Sequence, residues 1–140
     1  MLLVMPFEII WEPQGVIQRH WGVLHPQELD EFNSQFYGDS RSDNCKFMLT
    51  DFLEVTDHTF DQIDISVAAG YDIGASKSIK NFKIAFVVRE PKVREGCELY
   101  RKILASCNTT WEVRLFEDMG EARRWCEEPK LALSGCSARA

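Results

Sequence analysis

The chain has 140 residues, of which 45% are hydrophobic and 11% aromatic, which is enough apolar material for one core of ordinary domain size. A formal net charge of −6 argues against a general nucleic-acid binder, because such proteins present a basic face to the phosphate backbone. Five cysteines without a CxxC pair, and histidines that lie at no ligand spacing from them, predict neither a disulfide framework nor a zinc site. We therefore expect free thiols in a reducing cytoplasm, with no metal and no cofactor.

We expect no targeting signal at the start of this chain. Residues 1–5 are apolar, but they have no basic flank, no long apolar stretch and no small-residue cleavage site, so we expect neither a signal peptide nor a membrane span. Residues 129–140 show little pattern and predict a loose tail. No linker, repeat or low-complexity segment divides the remainder, which predicts a single domain over residues 1–128.

The first elements predict an antiparallel hairpin. Phe7–Trp11 is a short apolar run, and a turn containing proline and glycine separates it from a second run at residues 16–21. In the second run Val16, Gln18 and His20 share one face, and the residues between them share the other.

Three strand-to-helix units follow a first helix that begins at Pro26 and ends at Gly38. The strands are residues 47–52, 84–88 and 113–116, and the helices after them begin at Thr59, Pro91 and Asp118. Strands that alternate with helices at this spacing predict right-handed crossovers and parallel pairing. The predicted fold class is α/β, with a single mixed, mostly parallel sheet opened by an antiparallel hairpin, and with four helices.

Apolar spacing assigns an inward face to each helix. The core residues assigned in chain order are Leu29, Phe32 and Phe36; Phe60, Ile63 and Val67; Val93, Cys97, Tyr100 and Leu104; and Ala122, Trp125 and Cys126. Capping boxes are predicted for the second helix, from Thr59 to Gln62, and for the fourth, from Asp118 to Glu121.

The strongest candidate site is the segment that joins the third strand to the second helix. It contains Asp51, Asp57, His58, Thr59 and Phe60 at the carboxyl end of a central strand, where ligands bind in open α/β sheets. Free N–H groups at a helix start also favour an anion there. The alternative interpretation is that Asp57 and Thr59 only cap the helix and that His58 is solvated. No nucleophile motif such as GxSxG is present, so we expect no catalytic residue and no enzyme.

Two further features have both a structural and a functional interpretation. Four tryptophans and nine phenylalanines either line an apolar ligand cavity or simply form the core. Lys77, Lys80 and Lys83 form a small basic cluster, which we interpret as solvated surface.

The order of the elements, together with four local motifs, resembles the STAS domain and within it the SpoIIAA-like group. The resemblance covers about residues 7–127. Its motifs are residues 47–52, which resemble a strand that ends at an aspartate; 25–32, the start of the first helix; 83–88, the central strand; and 113–116 with 121–125, the closing strand and helix.

The resemblance implies a non-enzymatic regulatory or protein-interaction module whose protein partner is to be identified. Sporulation members of the family are anti-sigma-factor antagonists, which are switched by phosphorylation of a serine in an Asp-Ser-Ser-Gly stretch at the start of the second helix. The corresponding stretch here reads Asp57-His58-Thr59-Phe60, so Thr59 is nearest to the phospho-acceptor by position. A related STAS-like and CRAL-TRIO-like fold binds lipids, which implies an alternative function as a binder or carrier of an apolar small molecule or lipid. An edge strand in such a sheet would also allow a homodimer.

Overall fold

A computed structural model describes residues 7–129, which form one five-stranded sheet and four α-helices. The strands are β1 (Phe7–Trp11), β2 (Gly15–Leu24), β3 (Phe47–His58), β4 (Lys83–Val87) and β5 (Glu112–Phe116). The helices are α1 (Pro26–Tyr37), α2 (Gln62–Ala75), α3 (Pro91–Ala105) and α4 (Met119–Glu127), and a 3-10 turn spans Ser40–Asn44.

The strands lie in the order β1-β2-β3-β4-β5, with β1 antiparallel to β2 and every later pair parallel. This confirms the predicted α/β fold with a mixed, mostly parallel sheet opened by a hairpin. Residues 1–5 and the predicted tail after Pro129 lie outside the described residues.

The hairpin closes through a tight turn that needs a glycine. The backbone N–H of Glu12 donates to the carbonyl of Gly15 at 2.9 Å. A Cβ atom on Gly15 would lie 2.3 Å from the ring of Phe47 on the neighbouring strand, which no real side chain tolerates. The turn and the first parallel pairing of the sheet therefore depend on the same glycine.

The sequential strand order decides which face of the sheet each helix covers. Right-handed crossovers that always advance in one direction place α1, α2 and α3 on the same face of the sheet. The last helix, α4, packs on the other face, against Leu49, Ala85 and Val87. Because the strand order never reverses, this sheet has no topological switch point, and the ligand position that such a point would provide does not exist here.

The helix α4 is fastened to the sheet by a buried lysine. Lys83 is buried, and its Nζ atom donates to the carbonyls of Trp125 at 2.7 Å and of Glu128 at 2.9 Å. A lysine in this place satisfies carbonyl groups that a helix leaves open at its C-terminus. The interpretation of Lys83 as part of a solvated basic cluster was therefore wrong.

The inward faces of three helices are confirmed. Phe32 and Phe36 of α1 are buried, with Leu29 partly buried beside them. The four assigned residues of α3 and the three assigned residues of α4 are all buried as well. At the start of α4 the side chain of Asp118 accepts from the N–H of Glu121 at 2.8 Å, as the predicted cap requires.

The second helix begins three residues later than predicted. Strand β3 continues to His58, and the N–H of Thr59 still donates to Leu24 at the end of β2. The N-cap is Asp61, which forms a reciprocal capping box with Asp64. The prediction of a cap at Thr59 was wrong because pairing with β2 holds this segment in an extended conformation.

Candidate functional site

The predicted site residues separate onto different surfaces. Asp51 lies on the α4 side of the sheet, where its carboxylate accepts from the N–H of Leu53 at 3.0 Å and lies 3.7 Å from Arg19. Asp57 forms an ion pair of 2.7 Å with Lys92 of α3, and this contact holds the pKa of Asp57 below its ordinary value. Neither carboxylate caps α2, so the expected cap at Asp57 was also wrong.

His58 and Thr59 point to different neighbours. The Oγ1 atom of Thr59 lies 3.0 Å from Nδ1 of His25, beside the start of α1. The Nδ1 atom of His58 accepts from the N–H of Phe60 at 3.0 Å, which leaves Nε2 on the side of Gly96 in α3. His58 and Phe60 are thus the only two of the five predicted residues, all of them within the described part of the chain, that share a cavity.

That cavity lies between the sheet and helices α1, α2 and α3, and its volume is about 90 Å³. Ligand pockets for drug-sized molecules measure roughly 300–1,000 Å³, so this one has room only for a much smaller occupant. Three phenylalanines line it and no tryptophan does, so it differs from the cavity lined by tryptophans and phenylalanines that the sequence suggested. Its wall is mainly apolar, and its polar members are Gln18, Asn33, Thr50, His58, Asp72 and Tyr100.

One end of the cavity borders a buried polar chain that fastens α1 to the sheet. Glu28 of α1 lies 2.5 Å from Nδ1 of His20, whose Nε2 lies 2.7 Å from the amide oxygen of Gln18. The amide nitrogen of Gln18 then donates to Thr50 at 3.2 Å. Glu28 repeats with Phe32 at a spacing of four residues, a signal in the sequence that could have placed its carboxylate on the inward face of the helix.

A second polar group joins all three helices at the other end of the cavity. The Asp72 carboxylate of α2 accepts from the hydroxyls of Tyr37 in α1 at 2.6 Å and Tyr100 in α3 at 2.5 Å. Burial raises the pKa of Asp72, and the two hydroxyl donors oppose that rise only in part. Burial and the neighbouring carboxylate also raise the pKa of both tyrosines.

The outer surface of α2 is apolar, which reverses the predicted orientation of this helix. Ile63 is 73% exposed and Val67 is 55% exposed, whereas Ile65 and Ala69 are buried. Tyr71, one turn after Val67, is 59% exposed. The prediction was wrong for Ile63 and Val67, because α2 carries apolar residues on its inner and outer sides and their spacing does not distinguish the two faces. Phe60, which precedes the helix, does pack against the core as predicted.

Two glycines lie among these exposed residues. A Cβ atom added to Gly70 or to Gly74 would meet no atom within 4 Å. At 100° per residue Gly74 falls between Ile63 and Val67 around the helix, and Gly70 falls about 20° beyond Ile63. We call Ile63, Val67, Gly70, Tyr71 and Gly74 the outer face of α2.

A smaller apolar patch lies on the opposite side of the molecule. Ile10, Trp21 and Val23 are partly exposed on the hairpin, on the face of the sheet that α4 covers farther along. Arg19 lies over the ring of Trp21 at 5.8 Å and also forms ion pairs with neighbouring carboxylates. This patch is interrupted by charge, whereas the outer face of α2 is not.

No protein-family model matches the chain, and no protein of curated function matches it. The structure is similar to the crystal structure of an uncharacterised protein of the DUF3478 family from Shewanella loihica PV-4, which is described as having a SpoIIAA-like fold. The TM-score is 0.56 at 17% identity, over 90% of this chain and 98% of the other. The present protein has a SpoIIAA-like fold. The resemblance drawn from the four sequence motifs is thereby confirmed at the level of the fold.

Within this SpoIIAA-like fold, residues 7–129 contain no helix long and apolar enough to cross a membrane. Over the same range no group of three or more histidine, cysteine, aspartate or glutamate side chains is arranged to hold a metal ion.

Proposed function

We propose that the protein is a non-enzymatic protein-interaction module that binds a partner protein through the outer face of α2. One observation carries the proposal. Ile63, Val67 and Tyr71 are exposed in consecutive turns of α2. Asp64, the charged residue between Ile63 and Val67 in the sequence, is half-buried and bound in the capping box with Asp61. A continuous apolar surface of this kind is typical of a binding site, whereas single exposed apolar residues are ordinary.

The energetics of this surface favour association. Removing an aliphatic or aromatic side chain from water contributes roughly 1.5–3 kcal/mol when burial is complete. Tyr71 is also of a residue type that is enriched at the energetic centre of protein interfaces. Three such side chains on one helix fit the recognition mode in which helices pack through residues spaced by one turn.

The proposal assigns no catalytic role to the polar groups around the cavity. His58 already accepts a hydrogen bond from the backbone, and the Asp72 carboxylate is occupied by two tyrosine hydroxyls. A general base must lie within hydrogen-bond reach of a substrate atom, and these side chains are engaged in contacts within the chain. These groups instead hold the helices in place beneath the proposed binding surface.

We also propose a cytoplasmic location, which the state of the thiols supports. Cys45 and Cys126 are free and buried. Burial raises the pKa of the Cys45 thiol to about 11 and of the Cys126 thiol to about 12. Unpaired thiols that stay protonated suit a reducing compartment.

Thr59 stays a candidate phospho-acceptor on its exposure and its position four residues before Ile63. It lies two residues before Asp61, so the N-cap position of α2 is held by the Asp61 carboxylate and not by Thr59. A phosphate on Thr59 would add negative charge beside the outer face of α2.

The proposal is tested by affinity capture from the native cytoplasm with three baits: the wild-type chain, Val67→Asp and Glu95→Lys. Glu95 is exposed on α3, so Glu95→Lys controls for a change of surface charge elsewhere. We expect proteins captured by the wild type and the control to be lost with Val67→Asp, and urea unfolding to show that the variant is folded. Equal capture by all three baits would contradict the proposal.

A second candidate function is the binding of a small molecule in the cavity, which the polar side chains at both of its ends support. The cavity volume of about 90 Å³ favours an occupant of a few non-hydrogen atoms over a lipid chain. Native mass spectrometry of the protein purified from its own cytoplasm tests this function. A small bound mass that is released on denaturation would support it, and a spectrum of the bare chain would contradict it.

A further inference from the structure

We propose that the outer face of α2 binds the same face of a second copy of this chain, with the two helices antiparallel about a two-fold axis. This inference rests on the function proposed above, because it names the partner for the same surface. It commits to a contact in which one surface meets itself, as a two-fold interface requires.

The shape of the outer face is complementary to itself in the antiparallel orientation. At 100° per residue, Ile63, Val67, Gly70 and Gly74 lie within an arc of about 60°. Ile63 and Val67 occupy the N-terminal half of α2, and the two glycines occupy the C-terminal half, with Tyr71 about 60° to one side of Gly74. An axis between Val67 and Gly70 places Val67 of one copy opposite Gly70 of the other, and Ile63 opposite Gly74.

No contact among residues 7–129 of one copy requires a glycine at position 70 or 74. Both Gly70 and Gly74 are helical, and an added Cβ atom at either would enter open space. Each costs about 1 kcal/mol of helix stability relative to alanine. Close approach of a second helix gives them a role, because helices that pack at the short end of the usual 8–10 Å range need small residues at the contact.

Charge at the two ends of α2 favours the same orientation. Acidic Asp61 and Asp64 begin the helix, whereas Lys77 and Lys80 follow its end. Within residues 7–129 neither lysine has a salt-bridge partner. An antiparallel pair brings the basic end of one copy beside the acidic end of the other, and a parallel pair would place like charges together.

The size of the surface predicts a reversible dimer. A helix of 14 residues is about 21 Å long at 1.5 Å per residue. One pair of such helices buries less than the roughly 1,200–2,000 Å² of a standard stable interface. We therefore expect a dimer that dissociates on dilution.

The test is sedimentation velocity of the purified full chain over a wide range of concentration. We expect the wild type to pass from monomer to dimer as the concentration rises. Gly70→Gln and Val67→Asp should each weaken the dimer at least about tenfold. Lys77→Glu should weaken it less, and Lys102→Gln, an exposed substitution on α3, should leave it unchanged.

The Gly70→Gln variant distinguishes a loss of association from a loss of folding. Glutamine is a better helix former than glycine and its Cβ would meet no atom within 4 Å, so the monomer should unfold at the same or a higher urea concentration. A wild type that stays monomeric at every concentration would overturn the inference, as would a dimer that Gly70→Gln and Val67→Asp leave intact.

The inference and the proposed function fail in different ways. If the purified chain is monomeric while Val67→Asp still abolishes capture of another protein, the inference is overturned and the proposed function stands. If the chain dimerises through this face and a copy of the chain itself is the only protein lost from the Val67→Asp bait, the inference stands and the face serves self-association alone.

Discussion

The helices α2 and α3 lie side by side on one face of the sheet, and their solvent-facing surfaces are opposite in character. They have similar lengths, 14 and 15 residues, and each contributes a buried face to the same core. On its outer side α3 carries lysine, arginine and glutamate, whereas α2 carries isoleucine, valine, tyrosine, glycine and a single serine, Ser66. Both helices thus cover the sheet, but the solvent-facing surface of α3 is charged and that of α2 is mainly apolar.

The difference shows which part of a helix the fold itself requires. The core needs only one apolar face from each helix, and α3 supplies just that. The second apolar face of α2 adds nothing to the core, and its exposure costs solubility. A feature that the fold does not need, and that carries a cost, indicates a function outside the fold.

The largest contrast in the free energy of unfolding is expected from truncating an aliphatic side chain of four carbons to alanine in each of the two helices. Leu104→Ala in α3 removes a residue that is 1% exposed and should lower the free energy of unfolding by about 3 kcal/mol. Ile63→Ala in α2 should change it by less than about 0.5 kcal/mol, because the side chain is already in water. Urea unfolding of the dilute protein measures both, and similar losses would mean that the outer face of α2 is packed within one chain.

The next effect concerns the contact that joins the two helices. Tyr100→Phe removes the α3 hydroxyl that donates to Asp72, and it should lower the free energy of unfolding by about 2 kcal/mol. The loss arises because a buried carboxylate keeps its desolvation and loses a donor. Tyr37→Phe is the matched control from α1, with a similar expected loss. A variant as stable as the wild type would show that the carboxylate does not depend on this bond.

Asp72, a residue of α2, also predicts that the free energy of unfolding depends on pH. Burial raises the pKa of Asp72 in the folded state above its unfolded value, so the folded state binds more protons between the two values. The contribution of Asp72 to stability is therefore fully present below about pH 4, the ordinary range for aspartate, and is lost as the pH rises through the raised pKa. In Asp72→Asn this fall should disappear. Urea titrations at a series of pH values compare the two proteins, and parallel profiles would refute the assignment.

The difference between α2 and α3 also explains how far the sequence predicted the structure. The spacing of Val93, Cys97 and Leu104 identified the buried face of α3, because charged residues occupy most of the remaining circumference of that helix. In α2 the same reasoning selected Ile63 and Val67, which are exposed, since apolar residues fall on both sides. Periodicity identifies the inner face only when the outer face is polar.

The start of α2 was missed for a non-local reason. Thr59 with Gln62 and Asp61 with Asp64 both have the spacing of a capping box, so local sequence offers two starts. The choice is made by the ladder between β2 and β3, which extends to His58 and holds Thr59 against Leu24. The candidate site was displaced for the same reason, because Asp51, Asp57 and His58 lie on β3 and Thr59 is held extended directly after it.

The last prediction concerns the free energy of unfolding when the glycines of α2 are replaced. It distinguishes a glycine that the fold requires from one that a contact on the outer face requires. Gly70→Ala and Gly74→Ala should each raise the free energy of unfolding of the dilute monomer by about 1 kcal/mol, because alanine favours the helix and its Cβ meets no atom. Gly15→Ala is the opposite control, since its Cβ would overlap the ring of Phe47. A loss of stability at Gly70 would show that the fold needs this glycine. The expected gain would mean that the natural glycines make the helix less stable than alanine would. A close contact with a second molecule would explain why the chain keeps them.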